Sequence, residues 1–335
     1  MIRLVRSARG KTQAELAIDA GISQAALSKA EAGAVDLDET RLADVAAALR
    51  VPVSRFTASA LVDGFLSACA FHRKRSSLAV SDANRIRAML NLTLLQAEDI
   101  FGGDAPAVEV PRVTVWANAF DSPVDIAGRV RAEMGLSDGP VSNLVAAIEQ
   151  IGAVVEIRNL GADRIDAIGT WPPGHRPIFI LNERAPADRR RFTLAHELGH
   201  AVMHDQPSDD QEREADRFAS ELLMPEKVIR AELTGVDIAK LARLKQRWGV
   251  SMAALLRRAR DLAAISEADY KRLNIEMSKA GYRTSEPGFV AAERPHQVTD
   301  AVRSHLDRGE SIAQISKRVH MLPEEFNDLY VRPAA

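Results

Sequence analysis

His196-Glu197-Leu198-Gly199-His200 is the run in this chain whose residue types and spacing can do chemistry. On a helix, positions i and i+4 lie about one turn apart on one face, so both imidazoles can reach a single zinc ion. Glu197, next to His196, is then placed to act on a water activated at the metal. A chance match to this pattern is expected about once in a hundred chains of this length. Catalytic zinc takes three protein ligands and keeps one position open. Downstream carboxylates are Glu212, Glu214 and Asp216. Glu212 and Asp216 are i and i+4 and share a face, whereas Glu214 points about 200° away from Glu212. Glu212 is the expected third ligand, with Glu214 as its competitor. Asp216 is expected to accept the spare N–H of a ligand histidine and fix its tautomer. His204, a turn beyond His200, reads as a hydrogen-bonded histidine behind the ligands, with direct ligation as the alternative. The choice between zinc and manganese stays open.

These side chains need a helix with a packed back. Phe192, Leu194, Ala195, Leu198 and Val202 supply an apolar side, Pro186 fits a first turn, and no breaker precedes Gly199. A second amphipathic helix carries the acids and runs on to Pro225. Upstream, Asp121-Ser122-Pro123 has the order of a cap followed by a first-turn proline, opening a helix toward Met134. Ser142 is expected to cap another helix that runs to Ile151. Strand signals follow at 153–158, 164–170 and 177–181, a small sheet among helices and not the repeated βαβ pattern of a doubly wound fold. The strand 177–181 is read as a place where an extended substrate adds by strand pairing. His204, His175 and Tyr270 are the candidates for stabilising an oxyanion, and nothing singles one out.

The run from Arg191 to His200, followed by E-x-x-A-D-x-F-A-x-x-L-L-M-P at 212–225, resembles the ImmA/IrrE family of metallopeptidases. The strand Ile178-Phe179-Ile180-Leu181-Asn182 and the later Val250–Leu255 also match its pattern, so the similarity covers about residues 120–260. The resemblance implies a thermolysin-like minimal core. It implies His196, His200 and a downstream glutamate as ligands, Glu197 as general base, and cleavage of a repressor protein under stress or phage induction.

Residues 12–33 (TQAELAIDAGISQAALSKAEAG) resemble the Xre/Cro-type helix-turn-helix of phage repressors. Leu16, Ala17, Ile22 and Leu27 make a small core, and Gly21 permits the tight turn between helices. Gln24, Ala25, Ser28 and Lys29 are then placed to enter the major groove, with Gln13 near a phosphate. Short or flexible readers at Ser28 and Lys29 specify no operator sequence. The first helix begins almost at Met1 and reads a turn short. The first 56 residues are close to charge-balanced, so modest DNA affinity is expected, and pairing of two copies would raise it. A helix-turn-helix used only for protein contacts is the competing reading.

Composition bounds the rest. The 335 residues suggest about two domains at roughly 150 residues each. With 46% hydrophobic and 27% charged residues, the chain has the balance of a soluble globular protein. A single cysteine, Cys69, excludes an intramolecular disulfide and a cysteine zinc cluster, so a metal must sit on carboxylates and the eight histidines. Met1–Gln13 lacks an apolar signal core and no run of 18 apolar residues occurs, so a cytoplasmic protein without membrane partners is expected. A net charge of -2 argues against a histone-like coat on nucleic acid but not against a small DNA-binding module. Abundant alanine predicts helix.

The expected fold is mainly α with a small β-sheet: a helix-turn-helix bundle at 1–58, a helical connector and linker at 59–111, an α+β zincin-like domain at 112–262, and a helical region at 263–335. The tail repeats some of the helix-turn-helix texture at Ser311–Ser316 and Leu322–Phe326, and is read as a plain helical hairpin, with another small helical module for dimerisation or substrate docking as the alternative. The expected function is a DNA-binding regulator with zinc-dependent endopeptidase activity on a helix-turn-helix repressor. The alternatives are a transcription factor whose peptidase-like domain is a non-catalytic sensor or assembly module, and a toxin–antitoxin or phage-control component. A complete H-E-x-x-H favours the enzyme, because a pure sensor has no chemical need for Glu197.

Overall fold

The computed structural model describes residues 1–58, 79–102, 108, 122–161, 165–204 and 208–332. Cys69, Asp121, the basic run His72-Arg73-Lys74-Arg75 of the expected connector and most of its Gly- and Pro-rich linker end at 101–111 lie outside the described residues. Two compact units emerge. One joins the N-terminal helices to the chain from His296 onward, and the other is built from the segment ending at Pro295.

The first unit opens with α1 (Ile2–Ala8), α2 (Gln13–Asp19), α3 (Gln24–Glu31), α4 (Glu39–Leu49), α5 (Ser54–Thr57) and α6 (Val80–Phe101). Thr12 starts α2 with a capping box completed by Glu15, and the Ser23 side chain accepts from Ala26 N–H to start α3. Gly21 turns between them at φ 62°, where a side chain would cost energy. Val5, Leu16, Ala17, Leu27, Val45 and Leu49 form the core, with Ile22 packed at its edge. Arg6 grips Glu31 through two bonds, 2.5 Å from Nε and 2.8 Å from Nη2, tying α1 to α3.

The second unit begins with α7 (Pro123–Glu133), which Ser122 caps with Pro123 in the first turn, as the sequence predicts. The next helix, α8 (Leu144–Gln150), is capped one residue later than expected: Asn143, not Ser142, accepts from Ala146 N–H at 2.9 Å. Strands β1 (Val154–Arg158), β2 (Ala167–Thr170) and β3 (Ile178–Asn182) form one sheet in the order β1-β3-β2. β1 runs parallel to β3, and β2 runs antiparallel to it. This corrects the expected strand addition at 177–181. β3 is central, and both of its edges are already paired, so no substrate segment can join it. Then follow α9 (Ala187–Met203), α10 (Gln211–Leu223), α11 (Glu226–Leu233), α12 (Ile238–Trp248), α13 (Met252–Asp261) and α14 (Glu267–Lys279).

The last helices are α15 (Gln297–Asp307), α16 (Ile312–Arg318) and α17 (Pro323–Phe326), with a π-turn over Asn327–Val331. They group with the N-terminal helices, and so does α6, whereas α14 groups with the second unit. The physical reason is specific bonding. His305 Nε2 meets the Ile100 carbonyl at 2.7 Å, and buried Arg55 donates to the carbonyls of Val319 and His320. The architecture is mainly helical with one small sheet. Among the described residues, no helix is long and apolar enough to cross a membrane.

Candidate metal centre

α9 places Leu194, Ala195, Leu198 and Val202 in the core of the second unit, which aims His196 and His200 at α10 and Glu197 at β2. α10 is buried along Ala215, Phe218, Ala219 and Leu222 and so presents its acids from a fixed face. The two helices meet closely at Gly199, where an added Cβ would stand 2.9 Å from Phe218 Cδ1. A glycine there lets the acids reach the histidines.

Nε2 of His196 and Nε2 of His200 lie 3.0 Å apart. Glu212 completes the triangle, with Oε2 at 3.7 Å from His196 Nε2 and Oε1 at 3.4 Å from His200 Nε2. A tetrahedral zinc ion with ligands at about 2.0–2.2 Å spaces its donor atoms about 3.4 Å apart. The three donors therefore fit such an ion in both spacing and chemistry, and they are the one such cluster among the described residues.

Behind each histidine stands an acceptor. His196 Nδ1 is 2.9 Å from Asp216 Oδ1, and Asp216 is itself held by Arg257 Nη1 at 3.3 Å. His200 Nδ1 is 3.0 Å from Nδ1 of His204, whose Nε2 is 3.0 Å from Glu214 Oε2. Only one proton arrangement serves all of these contacts with Glu214 ionised. His204 donates from Nε2 to the carboxylate, which leaves its Nδ1 bare to accept from His200 Nδ1–H. His200 Nε2 is then free to ligate. Burial pushes His200 below its ordinary value, and burial together with the neighbouring His200 and His196 pushes His204 down to about 3. Both imidazoles are thereby kept neutral, as ligation requires. Burial, with Asp210 nearby, moves the Glu214 carboxyl upward.

Glu197 is 2% exposed, and its Oε2 accepts from Gly169 N–H on β2 at 3.0 Å. Gly169 has no room for a side chain, since a Cβ would meet Phe179 at 2.3 Å and Glu197 Cβ at 3.2 Å. Sequence reasoning missed Gly169, Arg257 and the Glu214–His204 bond. All three act across elements far apart in the chain, and no local pattern marks them. Of the other oxyanion candidates, Tyr270 lies under the Arg260 guanidinium at 4.6 Å, and the His175 carbonyl accepts from Trp171 Nε1 at 3.0 Å.

In the first unit Gln24, Ala25, Ser28 and Lys29 are all exposed on α3. Gln13 is half-buried, and its amide donates to Glu31 at 2.7 Å.

Comparison with known proteins matches two separate parts of the chain. A helix-turn-helix family model matches residues 2–56, and the model of the IrrE N-terminal-like domain, Peptidase_M78, matches residues 148–260. The radiation response metalloprotease IrrE of Deinococcus radiodurans is 36% identical over 95 residues, which cover 22% of this chain and 29% of that protein. The match thus spans under a third of that relative's length. The chain joins a helix-turn-helix domain over residues 2–56 to an IrrE N-terminal-like domain of the Peptidase_M78 family over residues 148–260.

Proposed function

We propose that this chain is a cytoplasmic, DNA-binding regulator and a zinc-dependent endopeptidase that cuts a helix-turn-helix repressor in a stress, phage or mobile-element response. The observation that carries the peptidase reading is the His196, His200 and Glu212 donor set with the Glu197 carboxylate beside it. When bound, a zinc ion supplies Lewis acidity for a water and for the scissile carbonyl, and manganese suits the same oxygen and nitrogen donors. The chain's own residues do the rest. His196, His200 and Glu212 hold the ion, Asp216 and His204 fix the imidazole tautomers, and Glu197 accepts the water's proton. The water's oxygen bonds to the carbonyl carbon, and Glu197 then hands that proton to the leaving amine as the C–N bond breaks. α3 supplies the DNA-reading face through Gln24, Ala25, Ser28 and Lys29, with Gln13 at the backbone, and pairing of two copies raises affinity.

The test is incubation with purified helix-turn-helix repressors, with and without chelator, read by mass spectrometry. Glu197→Gln is expected to lower cleavage by about 10²–10⁴-fold while metal stoichiometry stays at wild-type level. Cleavage retained by that variant would remove Glu197 from the mechanism. A metal-loaded chain that cuts no repressor would favour a sensor over an enzyme.

A further inference from the structure

The two ends of the first unit repeat one another at a constant register. Arg9-Gly10-Lys11-Thr12 closes α1 and opens α2, and Arg308-Gly309-Glu310-Ser311 closes α15 and opens α16. The closing residues share one backbone conformation, with φ/ψ of -78°/-3° at Arg9 and -78°/2° at Arg308. Both glycines are left-handed, at 70° and 88°. Lys11 N–H donates to the Arg6 carbonyl and Glu310 N–H to the His305 carbonyl, both at 3.1 Å. Thr12 and Ser311 each build a capping box, with Glu15 and Gln314.

The inter-helix turn repeats as well. Gly21 has φ 62°, and His320, in its place, has φ 52°. Ile22 N–H reaches the Ala17 carbonyl at 3.0 Å, and Met321 N–H reaches the Ser316 carbonyl at 2.9 Å. The next caps, Ser23 and Leu322, have φ/ψ of -71°/143° and -71°/141°. Leu16, Ala17 and Leu27 are buried in the first motif, as are Ile315, Ser316 and Phe326 at the matching positions. A helical hairpin would require none of these coincidences. They are the local geometry of a helix-turn-helix.

What differs is the reading face. Gln13, Gln24, Ala25, Ser28 and Lys29 are matched by Ile312, Pro323, Glu324, Asn327 and Asp328. That set contains no cation and two acids, and a surface that neutralises no phosphate gains nothing from DNA. Instead the second motif turns its own elements onto the first. Glu325 accepts two bonds from Arg9, at 2.8 and 2.6 Å, at the end of α1. Arg55, 2% exposed, donates to the carbonyls of Val319 and His320 at the inter-helix turn. His320 Nδ1 lies 3.0 Å from Ser54 Oγ.

We propose that residues 297–331 are a second helix-turn-helix module, a repeat of the first, that reads protein instead of DNA and takes the first module as its partner. Its DNA arm rests on the first module's reading of DNA, and its docking arm does not. The full chain is examined by hydrogen exchange with and without a random-sequence duplex at low salt. DNA is expected to slow exchange over 13–31 and leave 312–328 unchanged. A Glu324→Ala, Asp328→Ala variant is expected to bind the duplex as tightly as wild type or more tightly. Slowed exchange at 323–328, or weaker binding by that variant, would overturn the proposal. In the docking arm, without DNA, Glu325→Arg is expected to speed exchange over 312–319 about fivefold, and Arg9→Glu added to it to restore the wild-type rate. Unchanged exchange in the single variant would overturn the docking. Should DNA slow exchange nowhere, the first module's reading of DNA fails while the docking arm still decides its own question.

Discussion

A neutral imidazole can offer Nε2 to a cation only while Nδ1 keeps the ring proton and something accepts it. Asp216 does this for His196, and His204 does it for His200 with Glu214 behind. In this arrangement Glu214 is engaged with His204 and Glu212 faces the two Nε2 atoms. Glu212→Ala is therefore expected to cost far more zinc affinity than Glu214→Ala, which should weaken binding by about 10–100-fold, as should His204→Ala. Competition against a chromogenic chelator measures all three, and a larger loss for Glu214→Ala would reverse the ligand assignment. His196, Glu197 and His200 are legible in the sequence because one helix sets their geometry. The role of Glu214 is not legible, because His204 leaves the helical path at φ -118° and meets an acid across two elements.

Elements place these atoms through a few close contacts. At the α9–α10 crossing, Gly199→Ala would press a methyl group into the Phe218 ring and move Glu212 away from the histidines. The expected outcome is about 1–3 kcal/mol of lost stability in the metal-free chain, together with weaker zinc binding, measured by thermal melts and metal titration. In the first unit, burial alone would raise the Glu31 carboxyl, but the bonds from Arg6 and Gln13 outweigh it and hold the group below its ordinary 4.5. A carboxyl lowered by folding contributes stability above its unfolded value, and that contribution is lost as pH falls through the folded one. The α1–α3 strut should accordingly weaken as pH drops below 4.5, and Glu31→Gln should flatten that dependence in a pH series of melts. Element boundaries were readable where side chains announce them, as at Thr12, Ser23 and Ser122. At α8 two cap-type residues stand side by side, Ser142 and Asn143, and only packing chooses between them. The central position of β3 was hidden for another reason: strand order depends on pairing, and an apolar run reads the same at the edge or the middle.

At the scale of the whole molecule, both donor helices belong to one unit and the helix-turn-helix to the other. Zinc should then stabilise only the second unit, by about 2.7 kcal/mol at a hundredfold excess over Kd. Calorimetry with and without chelator is expected to move one transition and leave the other in place, and a shift of both would show that the units unfold together. The 263–335 segment reads as one helical region because its periodicity is uniform, yet its residues divide at Pro295, since His305 and Val319 find partners at Ile100 and Arg55. That division nests the peptidase-like unit inside the chain path of the other. It also sets an order of events during synthesis. At about 5–20 residues per second, the ribosome releases all of the inner unit before α15–α17 emerge. The inner unit can close while the outer one still waits for α15–α17, so a stretch translated after the peptidase-like unit completes the body that carries the helix-turn-helix.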